Sequence, residues 1–210
     1  MRRKPSQERS RQVVEALLEA TGQVIAERGL AQTTTNHIAA RAGVSIGSLY
    51  QYFANKDELL GALFDKLVDD LGHAVDRGMP LLLEADLAIM VRGLLQAGFA
   101  FLRTNEALYL ELARNWDQQS SQRVLRSLER HLQEVFRLYA LRHYRELQID
   151  NLPVAVFVAT NSTVFTIMRY LSLPQPPCSR EQLLEELTVM VAEYLQRHTS
   201  PPATGRAARR

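Results

Sequence analysis

The sequence predicts an all-α protein: an N-terminal three-helix helix-turn-helix domain, then a larger helical domain, about nine helices in all. Three observations carry this prediction. Eight prolines (Pro5, Pro80, Pro153, Pro174, Pro176, Pro177, Pro201 and Pro202) leave long proline-free stretches between them. Apolar residues recur through those stretches at three- and four-residue spacing. No series of alternating apolar and polar residues marks a sheet. With 210 residues and 46% hydrophobic content, the chain can fill the core of one large or two small domains.

The first helix is expected from about Ser6 to Arg28, its stripe made by Val13, Val14, Leu17, Leu18, Val24 and Ile25, with Gly29 ending it. The stretch from Thr34 to Lys56, TTNHIAARAGVSIGSLYQYFANK, is the most informative. Ile38, Ala39 and Ala42 share one face of a short second helix, which Thr35 can cap. Gly43 stands where that helix must stop, since glycine adopts the left-handed C′ conformation at no steric cost. Val44 plugs the turn and Ser45 caps a third helix, Ile46 to Phe53. Ala39 leaves room for the two helices to cross closely. This geometry sets a second helix into a major groove.

Asn55, with Glu58 three residues on, caps a fourth helix as a variant of the capping box. Leu59, Leu60, Leu63, Phe64, Leu67, Val68 and Leu71 carry that helix to about Arg77, before Gly78 and Pro80 break the chain. Five more helices are expected at about Glu84–Arg103, Glu106–Trp116, Gln118–Leu147, Pro153–Leu171 and Arg180–His198. Pro153 suits a first helical turn, where its missing N–H costs nothing.

The run I-A-x-x-A-G-V-S-x-G-x-L-Y-x-Y-F-x-x-K, Ile38 to Lys56, strongly resembles the tetracycline-repressor-like (TetR) transcriptional regulators. The close match covers about twenty residues, and the helix plan fits throughout. On this resemblance residues 1–55, completed by the start of the fourth helix to about residue 65, form the DNA-binding domain. Residues 56–198 form a ligand-binding and dimerisation domain, and 199–210 a disordered basic tail. The implied function is a ligand-responsive regulator, a repressor that binds a palindromic operator as a homodimer and leaves it when a small, largely apolar effector binds. The alternative is a DNA-binding architectural protein without an effector. No cofactor or metal is expected.

Phosphates should supply affinity and base edges specificity. Thr34 and Thr35, at a helix N-terminus, suit a phosphate oxygen. Gly47 permits close backbone approach. Ser48 and Gln51 share a face; glutamine can bond bidentately to adenine, and serine to several base edges. Ile46 can touch a thymine methyl, and Asn36 resembles a family position that reaches a base. Ser45, beside them at the start of the reading helix, completes the set. The resemblance implies that Tyr50 and Tyr52 lie on the sugar-phosphate backbone and that Lys56 pairs with a phosphate. Leu49 and Phe53 should face the small core.

The resemblance places the dimer face on the last two helices, with Val154, Val158, Met168, Leu183, Leu187, Met190, Val191 and Tyr194 as candidates. It also implies a pocket, for which Phe99, Leu102, Tyr109, Trp116, Phe136, Tyr139, Phe157, Asn161 and Phe165 are candidate lining residues. Asn161, an amide in an apolar helix, must find a partner.

Net charge is +2 but unevenly placed. Arg2, Arg3, Lys4, Arg9 and Arg11 give a basic start, against Glu8 alone, and can track phosphates. Arg206, Arg209 and Arg210 make the tail basic, which leaves the middle acidic. The charged start lacks a signal-peptide core, and Cys178 is the only cysteine, so a cytoplasmic protein without intrachain disulfides is expected. The apolar run Val154–Leu173 carries Thr160, Asn161, Ser162, Thr163, Thr166 and Arg169, which favours a buried soluble helix over a membrane span.

An enzyme is disfavoured. Gly43-Val44-Ser45-Ile46-Gly47 matches the G-x-S-x-G nucleophile elbow, but that motif needs a preceding strand and here follows an alanine-rich helix. His37, His73, His131, His143 and His198 show no metal-ligand spacing with each other or with Cys178. Asn161-Ser162-Thr163 matches a glycosylation sequon, which an apolar helix in a chain without a secretory signal would not use.

Overall fold

The computed structural model describes residues 4–115, 118–143, 148–149, 151–197 and 199–200. Its helices are α1 (Lys4–Arg28), α2 (Thr35–Ala42), α3 (Ile46–Tyr52), α4 (Lys56–Asp76), α5 (Met79–Leu82), α6 (Leu87–Leu102), α7 (Glu106–Arg114), α8 (Gln118–Arg142), α9 (Leu152–Ser172) and α10 (Arg180–Arg197). A 3-10 turn, Arg103–Asn105, joins α6 to α7. The all-α expectation holds. The break expected at Gly78 and Pro80 contains a helix of its own, α5, because Pro80 falls at its first positions where no N–H is missed. Two residues on either side of α9 and α10 also pair, β1 (Gln148–Ile149) antiparallel to β2 (Thr199–Ser200). The expected tail therefore begins with two paired residues; 201–210, with Arg206, Arg209 and Arg210, lie outside the described residues.

Local chemistry sets the helix starts. Asn55 Oδ1 accepts the Glu58 N–H at 2.8 Å, and Glu58 Oε2 accepts the Ala54 N–H at 2.6 Å. These reciprocal bonds satisfy donors that a helix start leaves open. Asn105 caps α7 and Asn151 caps α9 in the same way, through the Leu108 and Val154 N–H groups. Ser179 and Gln182 form another reciprocal pair ahead of α10.

The chain forms two units. The first comprises Met1–Leu67 and Leu102–Arg123, so α7 belongs with the helix-turn-helix rather than with the helices that follow it in sequence. The cause is close packing of α7 on α1. Gly22 of α1 faces Leu108 of α7 so closely that an added Cβ would stand 3.3 Å from Leu108 Cδ2. Leu17, Ile25, Ile38, Leu49 and Leu59 are fully buried in this unit. Each contributes about 1.5–3 kcal/mol by leaving water.

The second unit comprises Val68–Phe101 and Val124–Arg210. Its core joins Leu87, Met90 and Val91 of α6, Phe136 and Tyr139 of α8, Ala155, Val156 and Ala159 of α9, and Val191 and Leu195 of α10. Val75, Met79 and Val135 form a smaller cluster. Leu87–Arg114 and Leu152–Ser172 are each long and apolar enough to cross a membrane by length and composition. The second of these, α9, buries Ala155, Val156, Ala159 and Thr160 among its neighbours, and Asn161 beside them donates to the Glu129 carboxylate of α8 at 2.6 Å. These are the contacts of a core helix.

Gly43 ends α2 at φ 68°, and its N–H together with that of Val44 closes on Ala39 and Ala40 carbonyls. A Cβ there would meet nothing within 4 Å. The cost of Gly43→Ala is therefore backbone strain alone. It should lower unfolding free energy by about 1–2 kcal/mol in denaturant titration, with Gly43→Asn costing less.

Candidate nucleic-acid interface

The reader is α2, the turn 43–45 and α3. Leu49 has no exposed surface and Phe53 retains only 7%, so one side of α3 is spent on the core. The opposite side then presents Ile46, Gly47, Tyr50 and Gln51 to solvent. Ser45 caps α3, accepting the Ser48 N–H at 3.0 Å. Its hydroxyl also lies 2.8 Å from the Ser48 hydroxyl, so Ser48 enters the start of the helix already engaged. Ser45 follows a helix and a turn, not a strand, so its hydroxyl has a capping partner and no catalytic frame.

One correction concerns α2. Thr34, not Thr35, is its cap: Thr34 Oγ1 accepts the His37 N–H at 3.2 Å, and Thr34 has extended backbone. Thr35 is instead the first helical residue, and its hydroxyl lies 3.2 Å from the Tyr50 hydroxyl. That contact ties the N-terminus of α2 to α3 and puts two hydroxyls at the positive end of a helix dipole, an arrangement suited to an anion. Asn36 is exposed on the same first turn, and Tyr52 is half-buried.

Two ties escaped the sequence. Arg41 of α2 makes a bidentate pair with Glu27 of α1, its NH1 at 2.7 Å from Oε1 and its NH2 on Oε2. The guanidinium hydrogen-bonded to Glu27 holds that carboxyl below its usual value. With the folded value depressed, the pair's contribution is present above the unfolded carboxylate value and is lost as pH falls through the folded one. Both partners are exposed, so the effect on stability is small. The second tie is Lys56, whose Nζ donates to the Leu30 carbonyl at 2.8 Å. An ammonium has three donors, so this bond leaves Lys56 able to meet a phosphate as well.

Residues 17–63 match the family model for bacterial regulatory proteins of the tetR family. Residues 17–63 thus form a DNA-binding domain of the TetR type. It is 31% identical over 105 residues to the nucleoid occlusion factor SlmA of Haemophilus ducreyi, half of each chain. It is 45% identical over 69 residues to the transcriptional regulator BetI 1 of Chromohalobacter salexigens, 33% of this chain and 32% of that one. The matched stretches thus span only about a third to half of these relatives. The solved structure of RolR with resorcinol superposes with a TM-score of 0.69 at 18% identity, over 90% of both chains. These similarities support a DNA-binding transcriptional regulator.

The remaining candidate residues divide. On α9 and α10 the exposed apolar residues are Val154, Phe157, Val158, Phe165, Val189 and Met190. Three dimer-face candidates, Leu183, Leu187 and Val191, are instead buried in the chain's own core, and Met168 and Tyr194 are half-buried. Two pocket candidates move the other way: Phe157 and Phe165 are 55% and 46% exposed on α9, so they line no interior. Phe136 and Tyr139 pack in the core of the second unit, where the Tyr139 hydroxyl donates to the Ala85 carbonyl at 2.8 Å. Phe99 is buried in that unit. Leu102 and Tyr109 fall in the first unit. Trp116 and the basic start at Arg2 and Arg3 lie outside the described residues. Asn161 finds its partners in Glu129 and in the Phe157 carbonyl, at 2.8 Å.

Lys56→Ala should weaken DNA binding across all sequences and flatten the salt dependence by about one unit, as expected for one lost phosphate contact. Tyr52→Phe should also weaken binding uniformly. Gln51→Ala should relax preference at one base pair per half-site, by about 1–3 kcal/mol. Filter-binding titrations at several salt concentrations, on matched and mismatched duplexes, separate the three.

Proposed function

We infer that the protein is a repressor that binds a palindromic operator as a homodimer and is released by a small, largely apolar effector. The carrying observation is the solvent-facing set Ile46, Gly47, Tyr50 and Gln51 on a helix fixed by Leu49, within the stretch that matches the family model. The roles given above to Thr34, Thr35, Asn36, Ser45 and Ser48 at the helix ends, and to Tyr52 and Lys56 on the backbone, belong to this reading. So does action in the cytoplasm, where the DNA is.

A three-helix reader makes few contacts, and pairing two on a two-fold axis multiplies them. The face for that pairing is the set of exposed apolar residues on α9 and α10, since several large apolar side chains left in water on two helices call for a cover. Phe157→Glu with Met190→Glu should give a monomer by sedimentation where the parent is a dimer. The same variant should lose preference for a palindrome over a single half-site.

The effector reading draws on the aromatic residues of the C-terminal helices and on RolR, whose structure holds resorcinol. Selection of sites from a random duplex pool at near-physiological salt should enrich a palindrome. A panel of small aromatic and aliphatic compounds should then contain at least one that weakens binding to it by about tenfold. Enrichment of no sequence by a folded dimer would sink this reading. A second reading, a DNA-binding architectural protein without an effector, has specific support in the similarity to a nucleoid occlusion factor. A ligand that raises the melting temperature without DNA present would count against it.

A further inference from the structure

The loop between α1 and α2 is held from three directions. Within the loop, the Gly29 N–H bonds to Ile25 O at 2.9 Å and Thr33 Oγ1 donates to Gly29 O at 2.8 Å. From the start of α4, Lys56 holds the Leu30 carbonyl. From α7, 81 residues along the chain, Glu111 Oε1 accepts the Leu30 N–H at 2.8 Å. Both polar groups of one backbone residue are therefore gripped by side chains from two other helices.

The grip from α7 is built rather than incidental. Asn115 Nδ2 donates to the same Oε1 at 2.9 Å and to the Glu111 carbonyl at 2.8 Å, which fixes the carboxylate. Gly29 takes φ 80°, and a Cβ on it would stand 3.1 Å from Glu111 Oε1. The glycine thus supplies both the left-handed turn and the room for the carboxylate. The loop ends at Thr34, the cap of α2, and Thr35 meets Tyr50 of α3. This short chain of contacts joins the Leu30 amide to the exposed residues of α3.

We propose that Glu111 is a positioning residue that couples α7 to the DNA reader by holding the Leu30 amide. Resting on the DNA-binding reading above, it puts a side chain of α7 in control of the loop that leads into α2. Coupling of this kind is reciprocal: DNA held by the reader must alter α7 as much as α7 alters the reader. One oxygen, Oε1, accepts both bonds, so the amide oxygen of glutamine can do the same work without the charge.

The test compares the full chain with its Glu111→Gln and Glu111→Ala variants by hydrogen exchange, free and bound to a duplex selected from a random pool by the parent. In the parent and in Glu111→Gln, duplex binding should slow exchange over 106–114 as well as over 34–56. In Glu111→Ala the response over 106–114 should vanish. Its duplex affinity should fall by about tenfold, with an unchanged salt slope because no phosphate contact is lost. An unresponsive α7 in the parent, or a Glu111→Ala variant that responds like the parent, would overturn the proposal. So would a glutamine variant no better than alanine. If the parent shows no protection over 34–56, the DNA-binding reading has failed, and exchange over 29–34 in the free proteins decides the clamp. Faster exchange there in Glu111→Ala and parental exchange in Glu111→Gln support it, and equal exchange in all three refutes it.

Discussion

What the reader shows to solvent depends on Leu49 being withheld from it. α3 has only seven residues, too few to hold a helix in water by itself. Burial of Leu49 and Phe53 supplies the missing stability and at the same time fixes the rotation of the helix about its axis. Once those two side chains are committed to the core, Ile46, Tyr50 and Gln51 have one direction left. The caps at Ser45 and Gly43 then fix where the helix begins and how it leaves α2. Hydrophobic burial thus sets the orientation, and local hydrogen bonds set the register.

Features governed by neighbouring residues were legible in the sequence. Gly43, Ser45 and the Asn55–Glu58 box act within four residues, and each does in the structure what its chemistry dictates. The cap of α2 was misplaced by one position because Thr34 and Thr35 carry the same hydroxyl and only the backbone angles distinguish them. The long apolar helices failed for a different reason. α9 and α10 are apolar on more than one side, so periodicity cannot say which stripe packs inward. Leu183, Leu187 and Val191 went in, and Phe157 and Phe165 stayed out. The Glu111–Leu30 and Arg41–Glu27 bonds were beyond sequence reasoning altogether. They join residues 81 and 14 positions apart, and nothing in either local pattern marks a partner.

Polar groups hold both units together beside their apolar cores. In the first, side chains hold backbone: Glu111 and Lys56 on Leu30, Thr33 on Gly29, Thr34 on His37. These bonds fix a loop that carries no hydrophobic anchor of its own besides Leu30. In the second, side chains also tie helix to helix, as Asn161 with Glu129 does, and hold the segment between α5 and α6, as Tyr139 on Ala85 and Arg142 on Glu84 do. The first arrangement defines a surface with atomic detail.

The small β1–β2 ladder has a topological consequence. It brings residues 148–149 beside 199–200, so the segment carrying α9 and α10 begins and ends side by side. Two pairs of residues contribute little stability, but they close a loop around both helices. The helices that bear the exposed apolar surface are thereby made one cassette. Because both helices also pack against α6 and α8, the ladder closes a segment that stays anchored in the core of its own unit.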